Sequence, residues 1–156
     1  MRLAEKNNNM EIISITDHHL SHCAAILVDA YNASPWNCLW TSEKAYQYLA
    51  ELVANRDFVG FVVYDNDEPA GAVLGHKKTW WTNRQLMIDE LFVSPAFQKK
   101  GYGKKLMQHC EDYAAVNDIE LLVLMTNKFL PVYNFYEMMD YTLADQYVFM
   151  FKQLNL

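Results

Sequence analysis

The stretch Leu91–Met107, LFVSPAFQKKGYGKKLM, joins an apolar run to an amphipathic one through a loop that carries Gly101 and Gly103. A strand that feeds a glycine-bearing loop and then a helix is a ready anion site. The first backbone N–H groups of a helix have no intrahelical partner, and the helix dipole favours negative charge there. Glycine lets the backbone come close to a phosphate. Lys99, Lys100, Lys104 and Lys105 gather positive charge here, on a chain whose formal net charge is −6. The loop is therefore expected to hold a phosphate-bearing ligand; the bland alternative is a glycine turn before an ordinary helix. Two familiar nucleotide loops are excluded. No G-x-x-x-x-G-K-[ST] is present, and G-x-G-x-x-G fails at its third position, where Leu106 stands. The acidic residue that should follow about 20 positions later, after a strand, also lacks the right context.

Around this loop the hydrophobic pattern alternates between two periods. MEIISI, from Met10, alternates like a short strand. Thr16 or Asp17 then starts a helix expected to run to about Ala33, with Leu20, Ala24, Leu27, Val28 and Tyr31 on one face. NASPWNCLWT breaks it at Pro35, and Ser42 is a good cap for a second helix, EKAYQYLAELVAN. DFVGFVVYD and AGAVLGHKKTWW are β-rich and flank the turn NDEP, which predicts a hairpin. RQLMIDELFV is a third strand of this group, ending before Pro95, and a helix follows from about Gly101 to Val116. IELLVLMT is wholly apolar, as strands of a buried parallel sheet are. LPVYNFYEMM places Pro131 near a first helical turn, and YTLADQYVFMFKQL predicts a last hairpin-like pair of strands. The expected order is β-α-α-β-β-β-α-β-α-β-β. Residues 1–9, polar and Asn-rich, are expected to be a flexible tail, and 10–156 a single domain.

Composition excludes several classes. Hydrophobic residues make up 52% and charged ones 21% of 156 residues, so a packed core rather than disorder is expected. No apolar run nears the roughly 20 residues that span a bilayer, and MRLAEKNNNMEIIS lacks a secretory apolar region. The expected location is the cytoplasm, with no membrane partner. The negative charge speaks against nucleic acid and is compatible with a cationic substrate. Cys23, Cys38 and Cys110 are odd in number and widely spaced, as plain thiols are. The five histidines show no metal-ligand spacing, and no metal is expected; His18 and His22 share a helical face but lack the glutamate of a metalloprotease motif.

Gln98-Lys99-Lys100-Gly101-Tyr102-Gly103 matches [QR]-x-x-G-x-[GA], the pyrophosphate loop of the GCN5-related N-acetyltransferase (GNAT) superfamily. Phe135–Tyr141, FYEMMDY, resembles the later F-Y-x-x-x-G-[FY] segment of that family, with Asp140 where glycine is usual. The resemblance covers about residues 10–154 and is strongest over 86–141. It implies an α/β (α+β) fold: a mixed, mostly antiparallel central sheet with a splayed parallel pair, flanked by about four helices. It implies acetyl-CoA as donor and an amine as acceptor. Main-chain groups of Leu91, Phe92 and Val93 would pair with the pantetheine arm, and the backbone of Gln98, Lys99, Lys100, Gly101, Tyr102, Gly103 and Lys104 would hold the pyrophosphate. The side chains of Leu91 and Val93 need do no more than pack.

Acetyl transfer to nitrogen needs a neutral amine, N–H donors for an oxyanion and a proton for the departing thiolate. The resemblance makes Tyr136 the candidate acid, with Tyr133 one turn earlier as second choice. It makes Glu90 the favoured base; neighbouring Asp89, a salt-bridge role for Glu90, or a water as base stay open. Asn127 would bond the coenzyme or cap a turn. In such a fold Trp36, Trp40, Trp80 and Trp81 border the acceptor pocket, although burial or a subunit interface would also use them. An N-acetyltransferase acting on a small-molecule or protein primary amine, by direct attack in a ternary complex, is thus the first expectation. A non-catalytic acyl-CoA sensor and, more weakly, a nucleotide-binding protein are the alternatives. A homodimer is a further expectation, through a C-terminal strand that pairs across a two-fold axis.

Overall fold

The computed structural model describes residues 9–155, in two compact units, 9–125 and 126–155. The expected tail therefore lies almost wholly outside the described residues.

The first unit is a five-stranded sheet in the order β1-β2-β3-β4-β5. Its strands are β1 Met10–Ser14, β2 Phe58–Asp65, β3 Glu68–Thr79, β4 Arg84–Val93 and β5 Leu121–Leu124. The first three pairings are antiparallel and β4–β5 is parallel. The β2–β3 turn is the two-residue Asn66–Asp67, both at positive φ, as a tight hairpin of type I′ requires. Asn and Asp are among the few residues that adopt that conformation at low cost.

Three helices cover this sheet: α1 Leu20–Asn32, α2 Ser42–Val53 and α3 Tyr102–Val116. A short 3-10 turn, Asp17–His19, precedes α1, so the α-helix begins three residues later than the capping signal suggests. The cap of α2 is Thr41, not Ser42; its Oγ1 accepts the Lys44 N–H at 3.2 Å. On one sheet face Leu20, Cys23, Ala24 and Leu27 of α1 and Ala45 and Leu49 of α2 bury against Val62, Ala72, Leu74 and Phe92. On the other, Phe61 meets His109 and Tyr113 of α3, and Leu106 lies beside Gly71. Strand residues alternate faces, so β2 and β3 supply both layers, which is why their runs read as continuously apolar. Each fully buried aliphatic side chain in these layers contributes about 1.5–3 kcal/mol. No helix among the described residues is long and apolar enough to cross a membrane.

The second unit holds α4, Pro131–Met138, with proline in its first turn. Beyond it the structure departs from the sequence expectation. No strand forms over 141–154, and Tyr147, Val148, Phe149, Met150, Phe151 and Leu154 are exposed. The β-type alternation of that segment is real, but a two-stranded hairpin is marginal without a third strand or an apolar face to pack on.

Candidate active site

The sheet pairing changes abruptly in the middle of β4. Leu74 of β3 faces Glu90, but Gly75 faces Ile88, so Asp89 is an extra residue with no partner: a β-bulge. Gly75 makes this possible. A Cβ there would lie 2.2 Å from the Met87 carbonyl oxygen, closer than backbone atoms allow. The parallel pairing to β5 runs from Gln85↔Leu121 to Ile88↔Leu124 and stops at the same point. From Glu90 to Val93, β4 is paired, among the described residues, on its β3 side only. That splay leaves the Glu90–Val93 main chain unladdered on one edge, just where the expected pantetheine contacts fall. One of its carbonyls, Val93 O, already accepts Gln98 Nε2 at 3.0 Å, and Leu91 O lies 3.3 Å from the Tyr31 hydroxyl.

The loop after β4 begins with a 3-10 turn, Pro95–Phe97, and ends at Gly101, the cap residue of α3. Gly101 has φ +83°, and Lys99 has φ +61°. Left-handed residues alternating with others turn successive N–H groups to one side, a concave anion cradle. A Cβ on Gly101 would meet nothing within 4 Å, so glycine is needed here for conformation and not for space. No side chain caps α3, and Lys99, Lys100 and Lys104 are exposed around its mouth. Tyr102 differs from its neighbours. It is 3% exposed and donates its hydroxyl in a short hydrogen bond to Asp65, whose other oxygen accepts Asn66 Nδ2 at 2.9 Å. Burial, and then Asp65, push its phenol up to about 12. Thus the backbone of the loop is presented outward and Tyr102 anchors it inward to the end of β2.

At the start of the splay, Glu90 is held from two helices. The Tyr31 hydroxyl of α1 donates to Oε2 at 2.5 Å, and the Tyr48 hydroxyl of α2 donates to Oε1 at 2.7 Å. Burial raises the Glu90 carboxyl above its ordinary range; the two phenol bonds lower it and Asp89 raises it again. The Tyr48 phenol is raised in turn, chiefly by burial and then by its bond to Glu90. Trp36 packs edge-on against Tyr31 at 5.6 Å, and Trp40 stacks on Tyr48 at 5.5 Å. Asp89 turns to His76 Nδ1, 2.7 Å away, so the adjacent carboxylates are committed to different partners. Trp80 and Trp81 sit exposed at the β3–β4 turn. Six residues of β4 separate that turn from Glu90, about 20 Å of strand. Trp36 and Trp40 are thus near Glu90, and Trp80 and Trp81 are not.

Three of the expected residues belong to the second unit. Tyr136 lies on α4, 8% exposed, edge-on to Phe135 and Tyr141. Tyr133, one turn earlier, is half-buried. Asn127 is exposed, and its Oδ1 accepts the Phe129 N–H at 2.9 Å, which makes it a turn-capping residue. Asp140 adopts φ +64°, and the bonds Asp140 N–H to Glu137 O and Tyr141 N–H to Tyr136 O close a Schellman turn around it. The family's glycine position keeps its left-handed turn without glycine.

Sequence reasoning missed Tyr31, Tyr48 and Asp65. Buried tyrosines seek a hydroxyl partner, but periodicity cannot say which. A signal did exist for the bulge, a glycine inside a strand pattern. Cys23 and Cys110 are buried, which pushes both thiols up to about 12; Cys38 is half-buried.

The splayed strand, the uncapped glycine loop and the half-buried acid can be set beside known proteins. The model of the acetyltransferase (GNAT) family matches residues 24–141. The thialysine N-epsilon-acetyltransferase of Caenorhabditis elegans is 26% identical over 127 residues, covering 77% of this chain and 76% of the relative. Among solved structures, an aminoglycoside acetyltransferase from an uncultured soil metagenomic sample, in complex with sisomicin, superposes with a TM-score of 0.75 at 18% identity, over 97% of this chain and 100% of that one. Aminoglycoside N-acetyltransferase AAC(6')-Iy in complex with CoA gives 0.76 at 13% identity, over 97% and 100%. With the family model spanning most of its length, this chain belongs to the acetyltransferase (GNAT) family and is an acyltransferase.

Proposed function

We propose that the chain transfers the acetyl group of acetyl-CoA to a primary amine of a small molecule or protein, by direct attack within a ternary complex. The observation that carries this reading is the continuity of the Asp89–Val93 splay with the uncapped α3 mouth. An extended arm paired along β4 would bring its diphosphate to the loop backbone of Gln98–Lys104 and its reacting end towards Glu90. The relatives act on amines, as their names state: thialysine in one case, aminoglycosides in others. The acceptor proposed here is an amine carried by a cation, such as an aminoglycoside, a polyamine, an amino acid or a protein amino group. An acidic chain and the aromatic-flanked carboxylate of Glu90 both suit a cation.

Bound acetyl-CoA supplies an activated thioester. The residues of the chain supply the rest. Glu90 takes a proton from the acceptor ammonium, whose pKa is near about 10, directly or through a water. The freed nitrogen forms the C–N bond, and an N–H of the unladdered β4, near Val93, donates to the oxyanion. When the C–S bond breaks, Tyr136 gives its hydroxyl proton to the thiolate and recovers one from solvent, to which the new amide nitrogen has lost its second proton. Main-chain groups of Leu91, Phe92 and Val93 hold the pantetheine arm. Asn127 contributes turn geometry through the Phe129 N–H that its Oδ1 accepts.

The test is a turnover screen across amine classes that reads free thiol, run beside thermal shift with acetyl-CoA, CoA, ATP and NAD. A ligand at about 100 times its Kd stabilises by roughly 2.7 kcal/mol. Stabilisation by acetyl-CoA with thiol release on an amine is the expected result. Stabilisation without turnover on any amine would make the chain an acyl-CoA sensor; stabilisation by ATP or NAD alone would overturn the cofactor assignment.

A further inference from the structure

Both carboxylate oxygens of Glu90 are occupied, by donors from two different helices. A lone buried carboxylate is costly, and one held by two phenols is oriented as well as compensated. Each phenol is itself fixed by a ring contact: Tyr31 with Trp36 and with Phe92, and Tyr48 with Trp40. The α1–α2 connection that carries both tryptophans is closed on itself. Asn32 Nδ2 donates to Trp40 O at 2.9 Å, and Trp40 N–H donates to Asn32 Oδ1 at 2.8 Å. We propose that Tyr31 and Tyr48 are positioning residues for acetyl transfer, whose hydroxyls hold the Glu90 carboxylate ionised and in one orientation at the mouth of the splay. Each oxygen spends one lone pair on a phenol and keeps one, so the carboxylate still has capacity for an acceptor N–H. This rests on Glu90 being the base.

The groups that face Glu90 are Tyr31 from α1, Tyr48 from α2 and Asp89 from its own strand, the last paired with His76 of β3. The phenol donors favour the charged form, and burial and Asp89 oppose it. Removing one donor therefore raises the pH at which Glu90 becomes a base. The same loss in a merely structural residue would lower stability and leave that pH unmoved.

The experiment uses the full chain with its glutamates labelled with 13C at Cδ, titrated by NMR without substrate as wild type, Tyr48→Phe, Tyr31→Phe and the exposed control Tyr46→Phe. Glu90→Gln identifies the Glu90 signal. In parallel, the pH profile of kcat/KM for the amine is measured. Tyr48→Phe keeps the ring on Trp40 and removes the hydroxyl. The Glu90 midpoint should rise by about one pH unit in Tyr48→Phe and in Tyr31→Phe, and not in Tyr46→Phe. The acid limb of the profile should rise with it. Tyr31→Phe carries the test alone if Tyr48→Phe does not fold. An unmoved midpoint in the folded variants overturns the proposal. A midpoint that moves while the acid limb stays shows that the clamp exists and that Glu90 is not the base, which overturns its part in transfer.

Discussion

Tyr102→Phe probes the inward anchor of the loop between β4 and α3. Phenylalanine keeps the ring, its 3% exposure and its edge contact with Phe97 at 6.1 Å. It deletes only the hydroxyl that donates to Asp65. Asp65 is 9% exposed and keeps one side-chain donor, Asn66 Nδ2. A hydrogen bond to a charged, buried acceptor contributes about 1.5–3 kcal/mol, and little water reaches this site to replace it. A loss of about 2 kcal/mol corresponds to a Tm lower by about 4–8 °C for a chain of this length. The effect also has a pH signature. The Tyr102 phenol is pushed up from 10 to about 12, so its protonated form is favoured in the folded state. Its contribution is complete below pH 10 and is lost as pH rises through about 12. The stability gap between wild type and Tyr102→Phe, measured by urea unfolding from pH 7 to 12, should be constant up to about pH 10 and then close. A gap under about 0.5 kcal/mol at pH 7, or one that persists unchanged to pH 12, would refute the anchor.

Gly103→Val places a branched side chain beside the first free N–H groups of α3 and should weaken CoA binding at least about tenfold by calorimetry, with the fold kept; Lys104→Ala should do less, because an exposed charge is screened by salt. Tyr136→Phe should lower kcat by about 10²–10⁴ with CoA affinity unchanged, and a kcat near wild type would leave Tyr136 a packing residue. Direct attack predicts that mass spectrometry after mixing with acetyl-CoA alone finds no stable acetyl adduct on Cys23, Cys38 or Cys110; an adduct that an amine discharges would point to a cysteine route. Asp140→Gly relieves a left-handed non-glycine residue at the end of α4 and should raise stability by about 0.5–1 kcal/mol in thermal denaturation, whereas Asp140→Ala should lower it.

Periodicity located α1, α2, α3 and β2–β5 because each buries a definite face, and burial writes its period into the residues. It was least accurate at ends, where a single cap decides: Thr41 and Ser42 both have a hydroxyl, and only the chain path selects Thr41. It was wrong over 141–154, where strand propensity exists without the pairing that makes a strand. The loop was legible because its shape lies in backbone geometry, which glycine and the flanking elements announce. The surroundings of Glu90 were not. Tyr31, Tyr48 and Glu90 are 17, 42 and 59 positions apart pairwise, and only helix packing on the sheet brings them together. Tyr102 and Asp65 are separated by 37 positions in the same way.

A single missing methyl group organises the β3–β4 pairing around Glu90. With any side chain at Gly75, the Met87 carbonyl would have to retreat, and β3 and β4 could not make the close approach that inserts Asp89 as an extra residue. Without that insertion, every residue of β4 after Ile88 would exchange faces, because strand side chains alternate with period two. Glu90 would leave the face on which Tyr31 and Tyr48 wait, and Phe92 would leave the core it shares with Leu27, Leu49 and Leu74. The bulge also coincides with the last β4–β5 pair, Ile88↔Leu124, since a local kink and added twist carry the strand away from its parallel neighbour. The placement of Glu90 and the opening of the strand edge therefore have one cause. Substitutions at Gly75 should disturb both together, and substitutions at Glu90 only the first.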